Sequence, residues 1–194
     1  MSDTHRKPSL PISIAMFVLL VAIGAVGRWG QPVWNFTPMA AVGLFAGAYY
    51  GRRDIALFVP LAAMLLSNLW LPSYRNFAVM VSVYVMMIAP AMIGPWLQRS
   101  RVKKTSAWIG RLAVGAVAPS AAFYLVTNFA EWFFTANYAR TAAGLMECYA
   151  YALPFYRQML AGDIFYVAVL FGAMALVGVA SPAVQPNMAP VRAR

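Results

Sequence analysis

Cysteine, histidine and acidic residues are scarce in this 194-residue sequence, and each shortage excludes a class of chemistry. With one cysteine, the chain forms no internal disulfide and no cysteine-based zinc cluster. The one histidine, His5, lies in the polar N-terminal stretch, which excludes a histidine triad or a histidine-rich metal site in the apolar region. Five acidic residues are too few for the rows of carboxylates expected of a proton-driven pump. The sequence also lacks a Walker-type phosphate-binding run, which excludes ATP hydrolysis by that route.

Apolar residues make up 62% of the sequence, and its mean hydropathy is +0.67, values typical of a membrane protein with several spans. A helix that crosses a roughly 30 Å hydrocarbon core needs about 20 residues. Six apolar stretches are present, although the second is short for a span. They are Pro11–Gly27, Met39–Gly51, Asp54–Leu71, Asn76–Leu97, Ser106–Phe129 and Gly162–Ala180. The sequence therefore predicts an all-α integral membrane protein with six transmembrane helices, its membrane domain at 11–180 between tails at 1–10 and 181–194.

The 15 Lys and Arg residues give a net charge of +10, and they are distributed unevenly. With six spans, eleven of them fall on the side of both termini. The four on the other side are Arg28, Arg75, Arg140 and Arg157. This asymmetry predicts that both termini lie in the cytoplasm. Because the basic residues lie between apolar runs, we expect them to contact anionic lipid head groups of the bilayer and predict no binding of nucleic acid.

The predicted external connections are longer and chemically richer than the cytoplasmic ones. The first contains Asn35, the second contains Tyr74, and the third covers about residues 130–160. Polar backbone cannot face lipid, so the third connection must lie on the surface or fold into a cavity. Within it, residues 144–152 are expected to form a short helix that ends before Pro154, because the residue before a proline is pushed out of helical geometry.

Polar residues within the predicted spans fall toward the external half. They are Ser67, Asn68, Tyr84, Thr127, Asn128 and Asp163. Asp163 is expected to open the sixth helix, where an acidic side chain suits the helix dipole. These groups could hold helices together, or they could line an external binding pocket whose walls include the neighbouring aromatic residues. An aromatic belt at the bilayer surface is the alternative explanation for the tryptophans and tyrosines.

Several runs resemble a family of small six-helix bacterial membrane proteins. They are Asn35–Met39, Leu44–Tyr49, Pro60–Met64, Thr127–Trp132, Gly144–Phe155 and Gly162–Gly172. The family is similar to the substrate-binding S-components of energy-coupling-factor (ECF) vitamin transporters and includes solitary cobalamin uptake proteins of the BtuM type. The resemblance implies an S-component-like bundle in a bacterial cytoplasmic (inner) membrane, with external capping loops and an outward-facing pocket. It implies cobalamin or a related corrinoid as bound substrate, no prosthetic group, and an ECF-type ATPase module as a candidate partner.

The resemblance also assigns ligand-binding roles to residues of this sequence. Asn68 corresponds to a polar residue at the end of helix 3, Tyr84 to a tyrosine on helix 4, and Arg157 to an arginine before helix 6. Some members carry a cobalt-ligating cysteine near the start of helix 4, where this chain has Val79 and Met80. Met80 is therefore a candidate cobalt-proximal residue, either as a thioether ligand or as a packing group. The full candidate ligand-binding set is Asn35, Asn68, Tyr74, Met80, Tyr84, Asn128, Tyr149 and Arg157.

Three functions follow as hypotheses. The leading one is a membrane substrate-binding or uptake protein for a vitamin, with cobalamin (vitamin B12) as the specific candidate. The second is a membrane enzyme acting on a corrinoid or lipid, with Glu131, Glu147 or Asp163 as acid or base. The third is a non-catalytic assembly factor, because small residues in the first two spans suit docking to another subunit as well as packing within the chain. Cys148 is either a second candidate thiol for cobalt or a small buried apolar residue.

Overall fold

Six α-helices and no strand form the part of the chain that the structure, a computed structural model, describes: residues 9–50, 53–71, 74–99 and 105–180. The helices are α1 (Leu10–Trp29), α2 (Met39–Tyr50), α3 (Arg53–Ser67), α4 (Phe77–Arg99), α5 (Thr105–Phe134) and α6 (Ala142–Ala180). The all-α prediction is confirmed for these residues. The C-terminal tail, most of the N-terminal tail and parts of the predicted cytoplasmic connections lie outside the described residues.

Four of these helices are long and apolar enough to cross a membrane, as expected of a membrane protein: α1, α4, α5 and α6. Helices α2 and α3 have 12 and 15 residues. At 1.5 Å per residue they reach about 18 and 22 Å, less than the roughly 30 Å of a hydrocarbon core. Of the six predicted spans, four therefore correspond to helices of spanning length and two to shorter apolar helices.

Helix α2 lies at the centre of the bundle and contacts each of the other five helices. Nearly every residue from Met39 to Ala48 is buried. A helix that is apolar on all sides belongs in an interior, and the neighbouring helices provide that interior here. Phe45 of α2 packs edge-on against Phe171 of α6, with 5.2 Å between ring centroids, within the main core cluster. The other helices are thus arranged around α2.

Helices α2 and α4 meet backbone to backbone at two glycines. A Cβ atom on Gly94 would lie 2.5 Å from backbone atoms of Gly47 and Ala48, and one on Gly47 would lie 2.2 Å from the Ala91 carbonyl oxygen. Only glycine permits such an approach. Gly43 faces the same helix, where a Cβ would lie 3.4 Å from the Ala91 nitrogen. The small-residue face of α2 is therefore used for packing within the chain.

The segment predicted as a long external connection is mostly helical. Helix α5 continues to Phe134 and α6 begins at Ala142, which leaves residues 135–141 as the connection. The prediction that a short helix ends before Pro154 is wrong, because Pro154 lies inside α6. Proline is tolerated in membrane helices where neighbouring groups and local adjustment satisfy the freed carbonyl, and here α5 packs along α6. The prediction that Asp163 opens a helix is wrong for the same reason: it lies within α6.

We expect Gly94→Ala to destabilise the bundle, because the added Cβ would overlap the α2 backbone. Overpacking of this kind costs about 1–3 kcal/mol. The matched control is Gly110→Ala in α5, where an added Cβ meets nothing within 4 Å. Both changes gain the same helix propensity, so their difference isolates the contact. Thermal unfolding of the purified protein in detergent measures it, and a Gly94→Ala midpoint at or above that of Gly110→Ala would contradict the close approach.

Candidate functional site

The connection between α1 and α2, residues 30–38, is termed the first loop, and the end of the bundle where it lies is termed the upper end. The first loop packs directly on two helices. A Cβ on Gly27 of α1 would lie 2.5 Å from the Pro38 ring, and a Cβ on Gly162 of α6 would lie 3.1 Å from the Thr37 nitrogen. Because both positions are glycine, the loop backbone rests against α1 and α6.

Asn35 adopts a left-handed backbone conformation in the first loop, with φ at 69°. Among residues with a side chain, asparagine is one of the few that visit this region routinely. The Asn35 backbone N–H donates to the Gln31 side-chain oxygen at 2.7 Å, and the Phe36 N–H donates to the Val33 carbonyl at 3.0 Å. These two bonds hold the turn that directs Asn35 toward α5 and α6.

A cavity of about 170 Å³ lies between the first loop, α5 and α6. Half of its lining residues are aromatic, and none of them is charged. The lining residues are Trp34, Asn35, Phe123, Tyr124, Thr127, Asn128, Ala152, Phe155, Tyr156 and Met159. The Asn128 amide nitrogen donates to the Tyr124 carbonyl at 2.8 Å, and the Thr127 hydroxyl donates to the Phe123 carbonyl at 2.8 Å. The Asn128 side-chain oxygen has no partner among the described residues, so it is available to a donor in the cavity.

Contacts between α5 and α6 hold the wall of this cavity in place. The Tyr124 hydroxyl donates to the Tyr149 carbonyl at 2.7 Å, and the Tyr124 ring lies 4.8 Å from that of Tyr156. The Cys148 thiol, which is buried, contacts the Asn128 carbonyl at 3.4 Å. In both hydrogen bonds the acceptor is a backbone carbonyl of the neighbouring helix. They therefore position Tyr124 and Asn128 without occupying the cavity.

A second group of polar side chains, which shares no residue with the cavity lining, lies near the C-terminal end of α1 and is termed the Arg28 cluster. Arg28 donates through Nη1 to Ser67 Oγ at 2.7 Å and to Asn68 Oδ1 at 2.5 Å, and through Nη2 to the Tyr74 hydroxyl at 3.3 Å. The Asn68 amide in turn donates to the Tyr84 hydroxyl at 2.6 Å. The cluster thereby joins the ends of α1 and α3 to the start of α4.

Burial raises the pKa of the Tyr74 phenol, and the neighbouring Arg28 guanidinium lowers it by a smaller amount. Tyr74 is therefore a neutral hydroxyl at physiological pH and keeps its proton as a donor. Its ring, that of Tyr84 and the cavity residue Phe123 pack against one small core cluster. Phe123 thus belongs both to the cavity lining and to the surroundings of this core cluster.

The structure divides the eight candidate ligand-binding residues into three sets. Asn35 and Asn128 meet in the cavity. Asn68, Tyr74 and Tyr84 meet in the Arg28 cluster. Met80, Tyr149 and Arg157 belong to neither: Met80 is half-buried early in α4, the Tyr149 hydroxyl donates to the Leu125 carbonyl, and Arg157 is exposed on α6.

Sequence reasoning missed Arg28 as a site residue and counted it only toward membrane topology. One signal could have identified it. Arg28 is the one basic residue in α1 and lies in its last turn, directly before the aromatic Trp29 and close to the first loop. A cation there suits the negative end of the helix dipole, which makes it a suitable place for a charge at the edge of a membrane.

The three candidate acids, Glu131, Glu147 and Asp163, belong neither to the cavity lining nor to the Arg28 cluster. Glu131 accepts hydrogen bonds from Asn137 at 2.7 Å and Thr135 at 3.3 Å, which caps the turn between α5 and α6. Glu147 is exposed on α6. Asp163 is 2% exposed, and its Oδ2 lies 2.5 Å from Ser120 Oγ. Within the described ranges, no three His, Cys, Asp or Glu side chains group so as to hold a metal ion.

A model of DUF6580, a family of unknown function, matches residues 8–185, which is nearly the whole sequence. No curated protein and no solved structure matches the chain.

The backbone of Asn35 provides a test of the first-loop geometry. We expect Asn35→Ala to be less stable than Asn35→Gly by about 1 kcal/mol, because alanine strains at φ of 69° and glycine does not. Both changes remove the cavity-facing amide, so the difference reports the backbone alone. Thermal unfolding in detergent would measure it, and equal midpoints for the two variants would show that residue 35 does not hold this conformation.

Proposed function

Since this chain belongs to the DUF6580 family of unknown function, we propose from its own geometry that it is a membrane-embedded binding protein. It takes up a small molecule from outside the cell through the upper end of the bundle, with cobalamin or a related corrinoid as the specific candidate. The upper end faces outward and the termini lie in the cytoplasm of a bacterium. The cavity bounded by the first loop, α5 and α6 is the observation on which this function rests.

Four of the six runs that resemble cobalamin uptake proteins contribute residues to this cavity or to its immediate surroundings, which supports the proposal. Asn35 comes from the first run, and Thr127 and Asn128 come from the run at the end of α5. Cys148, from a third run, contacts the Asn128 carbonyl, and Gly162, from a fourth, lies against the first loop. Segments that are distant in sequence thus meet around one space.

The chemistry of the cavity suits an uncharged, amide-bearing ligand. Aromatic walls with a few polar groups are typical of small-molecule sites, where the polar groups fix the orientation of the ligand. The Asn128 side-chain oxygen is an open acceptor for an amide N–H, and the Asn35 amide can both donate and accept. Amide side chains surround a corrin ring, so the polar groups of the cavity match that class of ligand.

The size of the cavity sets a condition on corrinoid binding. Sites for drug-sized ligands measure about 300–1,000 Å³, whereas this cavity measures about 170 Å³. A corrinoid is larger than most drugs, so it enters only if the first loop moves away from α5 and α6 or if much of the ligand stays outside. Trp34 and Phe155 line the cavity and are both about half exposed. Movement of these two side chains would open the cavity to a larger ligand.

We expect Asn128→Ala to weaken cobalamin binding roughly two- to tenfold, since one hydrogen bond to a neutral partner contributes about 0.5–1.5 kcal/mol. The control is Asn137→Ala, which removes an exposed amide that bonds Glu131 outside the cavity. Visible absorbance titration of purified protein with cobalamin measures both affinities. Absence of binding by the unmodified protein would reject the corrinoid, and equal loss in both variants would reject the cavity as its site.

Orientation is tested separately from binding. In a Cys148→Ala background, we expect Ala136→Cys, an exposed position between α5 and α6, to react with a membrane-impermeant thiol reagent in intact cells. Arg101→Cys, between α4 and α5, should react only after the cells are permeabilised, because the excess of basic residues on its side predicts a cytoplasmic location. The reverse pattern would place the cavity on the cytoplasmic side and end the proposal of uptake from outside.

A further inference from the structure

The Arg28 cluster contains a positive charge that no described residue neutralises. Arg28 is half-buried, and its three hydrogen-bond acceptors are neutral oxygens of Ser67, Asn68 and Tyr74. It forms no ion pair with any residue in the part of the chain that the structure describes. The C-terminal end of α1 stabilises the charge through the helix dipole, but it does not use the remaining guanidinium donors.

The Arg28 cluster has more hydrogen-bond donors than its own acceptors can use. A guanidinium has five N–H groups and no acceptor, so after three hydrogen bonds two N–H groups of Arg28 remain. The Tyr74 and Tyr84 hydroxyls each accept one hydrogen bond, and neither proton has an acceptor among the described residues. The Ser67 hydroxyl already donates to the Met64 carbonyl at 3.1 Å. The cluster is therefore left with unused donors from three side chains and one positive charge.

We propose that the Arg28 cluster is a binding site for an oxyanion, a carboxylate or phosphate group. Such a group accepts several hydrogen bonds at once and pairs with a guanidinium in a charge-assisted contact. It would receive the two remaining N–H groups of Arg28 and the hydroxyl protons of Tyr74 and Tyr84. No position in the cavity offers this chemistry, because its lining is uncharged.

The position of the cluster leaves two sources for the anion. Trp29 and Trp70 lie beside it in sequence, with their rings 4.5 Å apart and both about half exposed. Paired tryptophans are typical of the depth at which lipid head groups lie, so the phosphate of an anionic lipid is one source. A soluble anion entering from the aqueous side is the other. This site is independent of the cavity and of whether the protein binds a corrinoid.

The test uses purified full-length protein in a neutral detergent at constant ionic strength. Two probes are titrated while the thermal unfolding midpoint is recorded: inorganic phosphate, and mixed micelles containing phosphatidylglycerol, with phosphatidylcholine micelles as the neutral comparison. We expect a saturable rise of the midpoint with at least one anionic probe. Arg28→Gln should weaken that response roughly ten- to hundredfold, which corresponds to the loss of hydrogen bonds from a charged group. The matched control is Arg75→Gln, because Arg75 is an exposed arginine at the same end of the bundle.

Each outcome decides the matter. A rise of the unfolding midpoint with phosphate supports a soluble anion, if the rise is present in the unmodified protein and in Arg75→Gln but is lost in Arg28→Gln. The same pattern with phosphatidylglycerol alone supports a lipid head group. Absence of response to both anionic probes, or an equal response in Arg28→Gln, overturns the site.

Two further variants keep the test decisive if Arg28→Gln fails to fold. Arg28→Lys retains the charge and should keep measurable binding. A Tyr74→Phe, Tyr84→Phe double variant removes two of the unused donors and keeps Arg28, so it should weaken binding severalfold. Unchanged affinity in the double variant would overturn the assignment of the phenols to the site.

Discussion

The contact of α2 with α4 at Gly47 and Gly94 determines where the rest of the bundle lies. With only hydrogen atoms between the two backbones, α2 is held in the interior rather than at the lipid surface. Because α2 has only 12 residues and is buried from its first residue, Met39, the chain before it must enter the bundle. Thr37 and Pro38 are accordingly buried, which is unusual for a connection between helices.

A loop that enters an apolar interior must satisfy its own backbone. The first loop does so in part: the Asn35 N–H donates to the Gln31 side chain, the Phe36 N–H donates to the Val33 carbonyl, and the Pro38 carbonyl accepts from the Val42 N–H of α2. It gains contact with α6 at Gly162, where a larger residue would push it away. The cavity lies where this loop, α5 and α6 diverge. The central position of α2 thus leads, through the course of the first loop, to the space that we propose binds a ligand.

The sequence predicts some of this architecture closely. The predicted first and fourth spans, 11–27 and 76–97, agree with α1 and α4 to within about two residues, because their apolar runs end at polar or basic residues. The start of α6 could not be predicted, since the local rule that proline disfavours a preceding helix is overridden by packing against α5.

Contacts between residues that are distant in sequence could not be predicted either. Arg28 and Asn68 are 40 positions apart, and nothing local indicates that they meet. Asn35 and Asn128 were both predicted as ligand-binding residues, but their presence in one cavity depends on the path of the first loop. The hydropathy pattern could not show that Asn68, Tyr74 and Tyr84 lie apart from that cavity, because it gives depth in the membrane and not position around the bundle.

Asp163 and Arg28 show how this protein handles charged groups away from water. Asp163 is almost fully buried, and the Ser120 hydroxyl lies 2.8 Å from the Ala116 carbonyl and 2.5 Å from Asp163. The Ser120 hydroxyl is the donor in both contacts, and because it has one proton it serves only one acceptor at a time. A carboxyl group in such a place also has a neutral, protonated form. A guanidinium has no such neutral form at accessible pH. Arg28 must keep its charge, so it lies at the end of its helix, half-exposed, among neutral oxygens that leave part of its hydrogen-bonding capacity unused. An acid can be accommodated deep in the bundle by taking up a proton, whereas a base of this kind requires either water or an anion at its side.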